Sequence, residues 1–525
     1  NSINLIELEW EKYWKYQEGT IMGVTKANLG RGAGILMPIS ALPGPYGIGT
    51  LGKSAYEFAD FAADVGFRYW QVLPVGPTSF GDSPYQSFSA FAGNPYFIDL
   101  DFLIEEGLLL KEEVDAVSFG EDEADIDYAA VFHNRFEILK KAYGRSGHKE
   151  KKEYRTFLEE NAFWIEDYSF YMALKFHFEN RSWKEWDEDI RFRKESAVEK
   201  YQKLLAEEID FWKFCQFKFR LQWNRLKSYV NGKGLKFIGD IPLYVAMDSS
   251  DVWVHHDLFE LDEDCEPIHI AGVPPDAFSD DGQRWGNPLY RWDVMEERDF
   301  LWWRERMKAN ASLYDVIRID HFIGIVNYWS IAADCPTAIE GEWKIGPGEK
   351  LMKAILEVIG EAGIIAEDLG VLTEPVKNLI AKLGFPGMKI IEFGLDCKPD
   401  NDYLPHNYTT ANTVAYIGTH DNETLVGFLG GCDKEQFAKI KEYFGAKTKK
   451  ELPGQIIRSL IACVADVAVL QTQDMLGLDN SARTNLPSTV GKNWRWRAVK
   501  EQLEGIDKVY YRELFRMYNR LQGET

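Results

Sequence analysis

Short apolar runs recur along this chain, each six to eight residues long and bounded by turn-forming residues. Eight can be read: "AGILMPIS" (33–40), "YWQVLPV" (69–75), "LKFIGDIP" (235–242), "YDVIRID" (314–320), "GIIAED" (363–368), "MKIIEF" (388–393), "TVAYIGT" (413–419) and "VAVLQTQ" (467–473). Helix-like segments separate most of them. Strands that alternate with helices need crossover connections and therefore a parallel sheet. Eight such units predict an α/β fold closed as a (β/α)8 TIM barrel, with an open doubly wound sheet as the alternative architecture.

The spacing is uneven, because about 160 residues separate the second run from the third. That excess predicts a large, aromatic-rich, mainly helical insertion between strands 2 and 3, over 76–234, within a catalytic barrel covering 31–525. Inside it Phe211, Cys215, Phe219, Trp223, Leu226 and Val230 fall mostly four apart, as one apolar stripe of a helix does. The stripe reads as core, and Gly232 with Gly234 as the helix stop. Long loops at the C-terminal ends of barrel strands build the active-site face, so the insertion is expected to shape a cleft. Region 1–30 opens "NSINLIELEWEKYWKYQEGT" and reads as an amphipathic helix. It has neither the basic n-region nor the apolar h-region of a secretory signal.

Charge and composition narrow the partners. Asp and Glu number 83 against 60 Lys and Arg, a formal charge of −23, and no basic cluster suits a polyphosphate backbone, so nucleic acid is not expected. No run approaches the roughly 18 apolar residues of a membrane span, so no membrane partner is expected either. Six cysteines lie far apart without a C-x-x-C pair, which argues for reduced thiols in a cytoplasmic protein over a disulfide framework or zinc site. Neither a phosphate-cradling Gly-rich loop nor a metal-spaced His/Cys set is present, so no cofactor is implied.

Three of the eight runs lead into carboxylates: Asp320 after "VIRI", Glu367 with Asp368 after "GIIA", and Asp421 after "YIGTH". One Asp at a strand end is ordinarily a cap or turn former. Three together, at strand ends that a barrel points into one shared site, indicate chemistry. Arg318 lies two residues before Asp320, on the same strand face, where its guanidinium can keep that carboxyl ionised, as suits a nucleophile. Glu367 follows Ile364, Ile365 and Ala366, and apolar surroundings raise a carboxyl pKa, as suits a general acid. Asp368 remains a rival for that role, since alternation turns one of the two inward. An ionised and a protonated carboxyl together are what retaining glycoside chemistry requires, with the groups about 5–5.5 Å apart. Loops 80–97 and 272–290, dense in Gly, Pro, Asp and aromatics, are placed to present Tyr85 and Trp285 to a sugar ring.

These stretches resemble the 4-α-glucanotransferases of glycoside hydrolase family 77, the amylomaltases or disproportionating enzymes of the α-amylase superfamily. The resemblance runs from "GILMPISALPGPYGIGTLG" through "SPYQSFSAFAGNPYFIDL", "GDIPLYVAMDSSDVW", "GVPPDAFSDDGQRWGNPLYRW", "VIRIDHFIG", "IIAEDLGVLT" and "YIGTHDNET" to "LPSTVGKNWRWR". It implies Asp320 as nucleophile, Glu367 as acid/base and Asp421 as the third carboxylate. It further implies substrate contacts from Tyr85, Asp240, Asp276, Trp285, Arg318, His420 and Asn485. The implied activity is retaining transfer of α-1,4-glucan segments between maltooligosaccharides, or starch or glycogen fragments, through a covalent glucosyl-enzyme. An α-amylase-type hydrolase and a non-catalytic glucan-binding protein are the alternatives. Two departures stand out. "FIGDIPLYVA" lacks the Asn-His pair that ordinary α-amylases carry after the third strand, and Phe80 stands where some relatives carry Tyr at an outer glucan site.

Overall fold

The computed structural model of the protein describes residues 29–79, 81–275, 279–370 and 372–521. The expected N-terminal helix, apart from its last two residues, lies outside them, as do Phe80 and Asp276. Among the described residues the strands are, in chain order, β1 (Gly32–Leu36), β2 (Tyr69–Gln71), β3 (Lys236–Ile241), β4 (His269–Val273), β5 (Gln283–Pro288), β6 (Val316–Ile319), β7 (Asn327–Ala332), β8 (Glu342–Ile345), β9 (Gly363–Ala366), β10 (Gly387–Ile390), β11 (Thr413–Tyr416) and β12 (Val467–Gln471).

The eight apolar runs become β1, β2, β3, β6, β9, β10, β11 and β12, which form one parallel sheet in the order β10-β11-β12-β1-β2-β3-β6-β9. The two ends meet. Ala366 N–H donates to the Pro386 carbonyl at 3.0 Å and Met388 N–H to the Asp368 carboxylate at 2.7 Å, which brings β9 against β10. The TIM-barrel expectation is therefore correct, and the open doubly wound alternative falls.

Alternation along the strands divides the barrel into two apolar layers. Ile238, Val316, Ile365, Met388, Ile390, Val414, Tyr416, Val467 and Val469 gather in one small cluster, the barrel interior. Their neighbours Phe237, Ile317, Ile319, Ile364, Ala366, Ala415 and Leu470 join the larger cluster beneath the helices. The same period assigns Asp240, Arg318, Asp320 and Glu367 to the inner side, two residues beyond Ile238, Val316, Arg318 and Ile365.

Helices fill the stretch between β2 and β3, the longest being Ala206–Gly232. The apolar stripe along it is buried throughout, and Gly234, at φ +82°, takes the left-handed conformation that ends it. Trp223 on this helix lies 5.1 Å from Phe237 of β3, ring centre to ring centre, so its C-terminal half packs directly on the barrel. No helix among the described residues is long and apolar enough to cross a membrane. All six cysteines are free thiols.

One element departs from the sequence reading. Stretch 272–290, expected as a loop, carries β5, which pairs with β4 in an antiparallel sheet ordered β5-β4-β7-β8. Its Gly and Pro content masked the strand, and only pairing with the equally short β4 supplies the backbone partners that make it one. This sheet sits on the loops that follow β3 and β6, so it borders the C-terminal mouth of the barrel.

Candidate active site

The mouth is built around Arg318. Its register partners are Asp240 on β3 and Ile365 on β9, so the guanidinium crosses the barrel at that level. Arg318 Nη1 lies 2.7 and 2.8 Å from the two oxygens of Asp240 and 2.9 Å from Asp320 Oδ1. Asp240 is wholly buried, whereas the Asp320 side chain keeps 31% of its surface open. The expected pairing of Arg318 with Asp320 is therefore present, with Asp240 as a second partner below.

Asp320 and Glu367 sit one step beyond Ile319 and Ala366, which are register partners on adjacent strands. The two carboxylates thus leave neighbouring strands at the same height. Directly after Asp320 the backbone of His321 turns left-handed, at φ +52°, and its N–H donates to Glu367 Oε2 at 2.7 Å. Leu369 N–H donates to the other oxygen at 2.8 Å. Burial, and next the charge of Asp320, push the Glu367 carboxyl up to about 8, against Arg318 and the two backbone donors. Asp368 faces the other way, spent on the Met388 N–H, so of the two neighbours only Glu367 points into the mouth. Burial pushes His321 down to about 4, which leaves its imidazole neutral at pH 7.

The third carboxylate comes from the turn after β11. His420 Nε2 lies 3.3 Å from Asp421 Oδ1, and Asn485 Nδ2 donates to the same oxygen at 2.6 Å. Tyr85, from the loop after β2, stacks on the His420 ring at 5.0 Å and donates its hydroxyl to Asp240 Oδ2 at 2.9 Å. Trp285 projects from β5, edge-on to His321 at 4.8 Å, with its indole N–H on Gln283. Of the ten residues singled out from sequence, nine are described. Tyr85, Asp240, Arg318, Asp320, Glu367, His420, Asp421 and Asn485 are joined to one another by direct contacts or by the turns that carry them, and Trp285 meets them through His321.

Two members of the cluster were not singled out from the sequence. Arg483 donates to the carbonyls of Asp421 at 2.6 Å and Asn485 at 2.7 Å, clamping the two loops that carry them. Trp494 closes the other side, 5.8 Å from Tyr85 and 5.9 Å from His420. Trp494 belongs to the quoted "GKNWRWR" stretch, where nothing distinguishes it from Trp496. No local signal marks Arg483.

The chain is similar to known proteins over most of its length. A family model described as 4-α-glucanotransferase matches residues 37–501. A 4-α-glucanotransferase of Clostridium butyricum is 48% identical over 490 residues, which cover 93% of this chain and 100% of that protein. One of Thermus thermophilus is 43% identical over 485 residues, 90% of this chain and 96% of its own. Among solved structures, an amylomaltase from Streptococcus agalactiae in complex with acarbose superposes with a TM-score of 0.90 at 44% identity, covering 94% of this chain and 100% of that one.

Proposed function

Because this chain belongs to the 4-α-glucanotransferase family, glycoside hydrolase family 77, we propose that it moves α-1,4-glucan segments between maltooligosaccharides by double displacement. The observation that carries this mechanism is the contrast between two carboxyls leaving adjacent strands. Asp320 has a guanidinium nitrogen 2.9 Å away, and Glu367 is buried with its carboxyl pushed up to about 8. Neighbouring strands lie about 4.8 Å apart, which supports the close carboxyl spacing of retaining enzymes over the wider gap of about 6.5–9.5 Å in inverting ones.

Asp320 attacks the anomeric carbon while Glu367 protonates the departing glycosidic oxygen, leaving a β-linked glucosyl-enzyme. The 4-hydroxyl of a second glucan then attacks that carbon, and Glu367, now a carboxylate, takes its proton. Both steps invert, so the new α-1,4 bond keeps the original configuration. Asp421, steadied by Asn485 and His420, grips the hydroxyls of the sugar as it distorts. Tyr85 and Trp285 offer ring faces to the glucan. Transfer prevails over hydrolysis when the acceptor is held and water is kept from the intermediate, a part assigned to Trp285 and its strand.

The test is incubation with pure maltotriose, following glucose, longer chains and total reducing ends. Glucose and longer chains at constant reducing ends are expected. Rising reducing ends with only shorter products would replace this reading with a hydrolase, and an unchanged substrate with a glucan-binding protein.

A further inference from the structure

His420 and Asp421 are the two central residues of a turn closed by Asn422 N–H on the Thr419 carbonyl at 3.1 Å. The Asn422 side chain closes the same turn a second time. Its Oδ1 accepts from the Thr419 N–H at 2.9 Å and the Thr419 hydroxyl at 3.0 Å, while its Nδ2 donates to Glu392 Oε1 at 2.8 Å. Glu392 stands on the short helix Ile391–Gly394, directly after β10. Its own N–H is tied to the Ile417 carbonyl at 3.0 Å, so carboxylate and turn share one backbone frame.

We propose that Glu392 is a positioning residue for the transfer reaction, holding Asp421 in register through the side-chain amide of Asn422. An amide has a donor end and an acceptor end, and the turn functions with only one orientation. An ionised carboxylate only accepts, so Glu392 claims the NH2 end and leaves Oδ1 to face the Thr419 donors. Reversed, the NH2 group would confront the Thr419 N–H and open the turn that carries Asp421. The backbone packs closely against this side chain: a Cβ added at Gly418 would come within 2.8 Å of the Asn422 Cβ and 3.2 Å of Gln471 Nε2.

The charged groups around Glu392 are Glu423, Arg483 and Asp474. Burial pushes its carboxyl up to about 7, opposed by the Asn422 donor and Arg483 and reinforced by Glu423 and Asp474. It therefore titrates near neutrality. Protonated, it still keeps a carbonyl oxygen for the Asn422 NH2, as a glutamine amide would, so the orientation rests on that acceptor.

This inference rests on the reading of Asp421 as the group that grips the distorted sugar. A grip made in the transition state shows in kcat, so Glu392→Leu is expected to lower kcat in maltotriose disproportionation by about 10- to 100-fold with KM within about 3-fold. Glu392→Gln keeps an acceptor oxygen and should return kcat to within about 3-fold of the parent. Asn422→Ala should match Glu392→Leu, and the double variant should be no worse than either single, since both break one linkage. A Glu392→Leu enzyme within about 3-fold of parental kcat, equal damage from Leu and Gln, or multiplicative losses in the double variant would each overturn the proposal. If Glu392→Leu does not fold, Glu392→Gln and Asn422→Ala decide: Gln is expected within about 3-fold of parental kcat, and Asn422→Ala about 10- to 100-fold below it with KM within about 3-fold. A large loss in Glu392→Gln, or none in Asn422→Ala, overturns the proposal. Asp421→Asn, measured alongside, separates the two ideas. Parental activity there removes the reading of Asp421, whereas its collapse beside an unaffected Glu392→Leu removes only the role of Glu392.

Discussion

Glu367→Gln tests the electrostatic premise of the mechanism without any substrate. The carboxyl has an ordinary pKa of 4.5 and is pushed up to about 8 in the folded protein. Below about pH 4.5 it is neutral in both folded and unfolded chains. Between about 4.5 and 8 only the unfolded chain ionises, so the folded state loses stability as pH rises, by ~1.4 kcal/mol per pH unit, and above about 8 the loss is constant at ~5 kcal/mol. Gln carries no such loss. It does place an amide NH2 against either the His321 or the Leu369 N–H, since both carboxylate oxygens accept, and one unpaired buried donor costs about 1–3 kcal/mol. The variant should therefore be the less stable protein at pH 5 and the more stable one at pH 8. Unfolding entropy of about 2.1 cal/mol/K per residue over 525 residues is ~1.1 kcal/mol/K, so a swing of roughly 3–4 kcal/mol between those pH values is about 3 °C in Tm. Thermal unfolding of parent and variant by tryptophan fluorescence at pH 5, 6.5 and 8 measures it. A Tm difference constant across that range would refute a raised carboxyl at 367 and, with it, the assignment of the proton donor. The same variant should lose about 10²–10⁴-fold in kcat.

Three further outcomes are expected. The parental kcat/KM for maltotriose should fall about tenfold per pH unit above about pH 8, as Glu367 loses the proton it must donate; a rate flat to pH 9.5 would contradict this. Arg318→Met leaves the buried Asp240 carboxylate without its cation and should cost about 3–5 kcal/mol, read as a Tm loss of a few degrees, while Arg318→Met with Asp240→Asn should recover at least half of it. Trp285→Ala should raise the ratio of hydrolysis to transfer, measured as reducing ends gained per glucan transferred, and an unchanged ratio would remove Trp285 and its strand from the exclusion of water.

How much of this was legible in the sequence follows from the range of each interaction. The barrel strands announced themselves because both faces of such a strand are buried, which writes an apolar run that needs no partner to be recognised. Asp320 and Glu367 were legible for the same reason, as polar residues ending those runs. The strand containing Trp285 was not, because "QRWGNP" has the composition of a turn and pairs only across a hairpin whose other arm is equally short. Arg483 was illegible in a stronger sense. It acts through the carbonyls of Asp421 and Asn485, and a carbonyl is present at every position, so no residue type signals the contact. The choice between Glu367 and Asp368 needed one fact that sequence lacks, the Met388 N–H waiting on the outer side.

Asp240 shows why a buried ion pair belongs below this site. It touches both Arg318 and Tyr85, and it lies one level beneath Asp320 and Glu367. A buried pair of this kind seldom adds stability over apolar residues, so its presence calls for a different reason. Arg318 has two carboxyls above it, and a guanidinium free to choose would sit between them and favour the ionised form of Glu367, leaving no proton donor. Two oxygens of Asp240, at 2.7 and 2.8 Å from Nη1, fix that nitrogen where it also meets Asp320 at 2.9 Å, while the oxygens of Glu367 are met by backbone N–H groups. Arg318 thereby makes its direct contact with Asp320 and acts on Glu367 only from farther off. The asymmetry between the two carboxyls begins with the burial of Glu367, and Asp240 adds to it by holding Nη1 on the side of Asp320, without needing to touch the reacting bond.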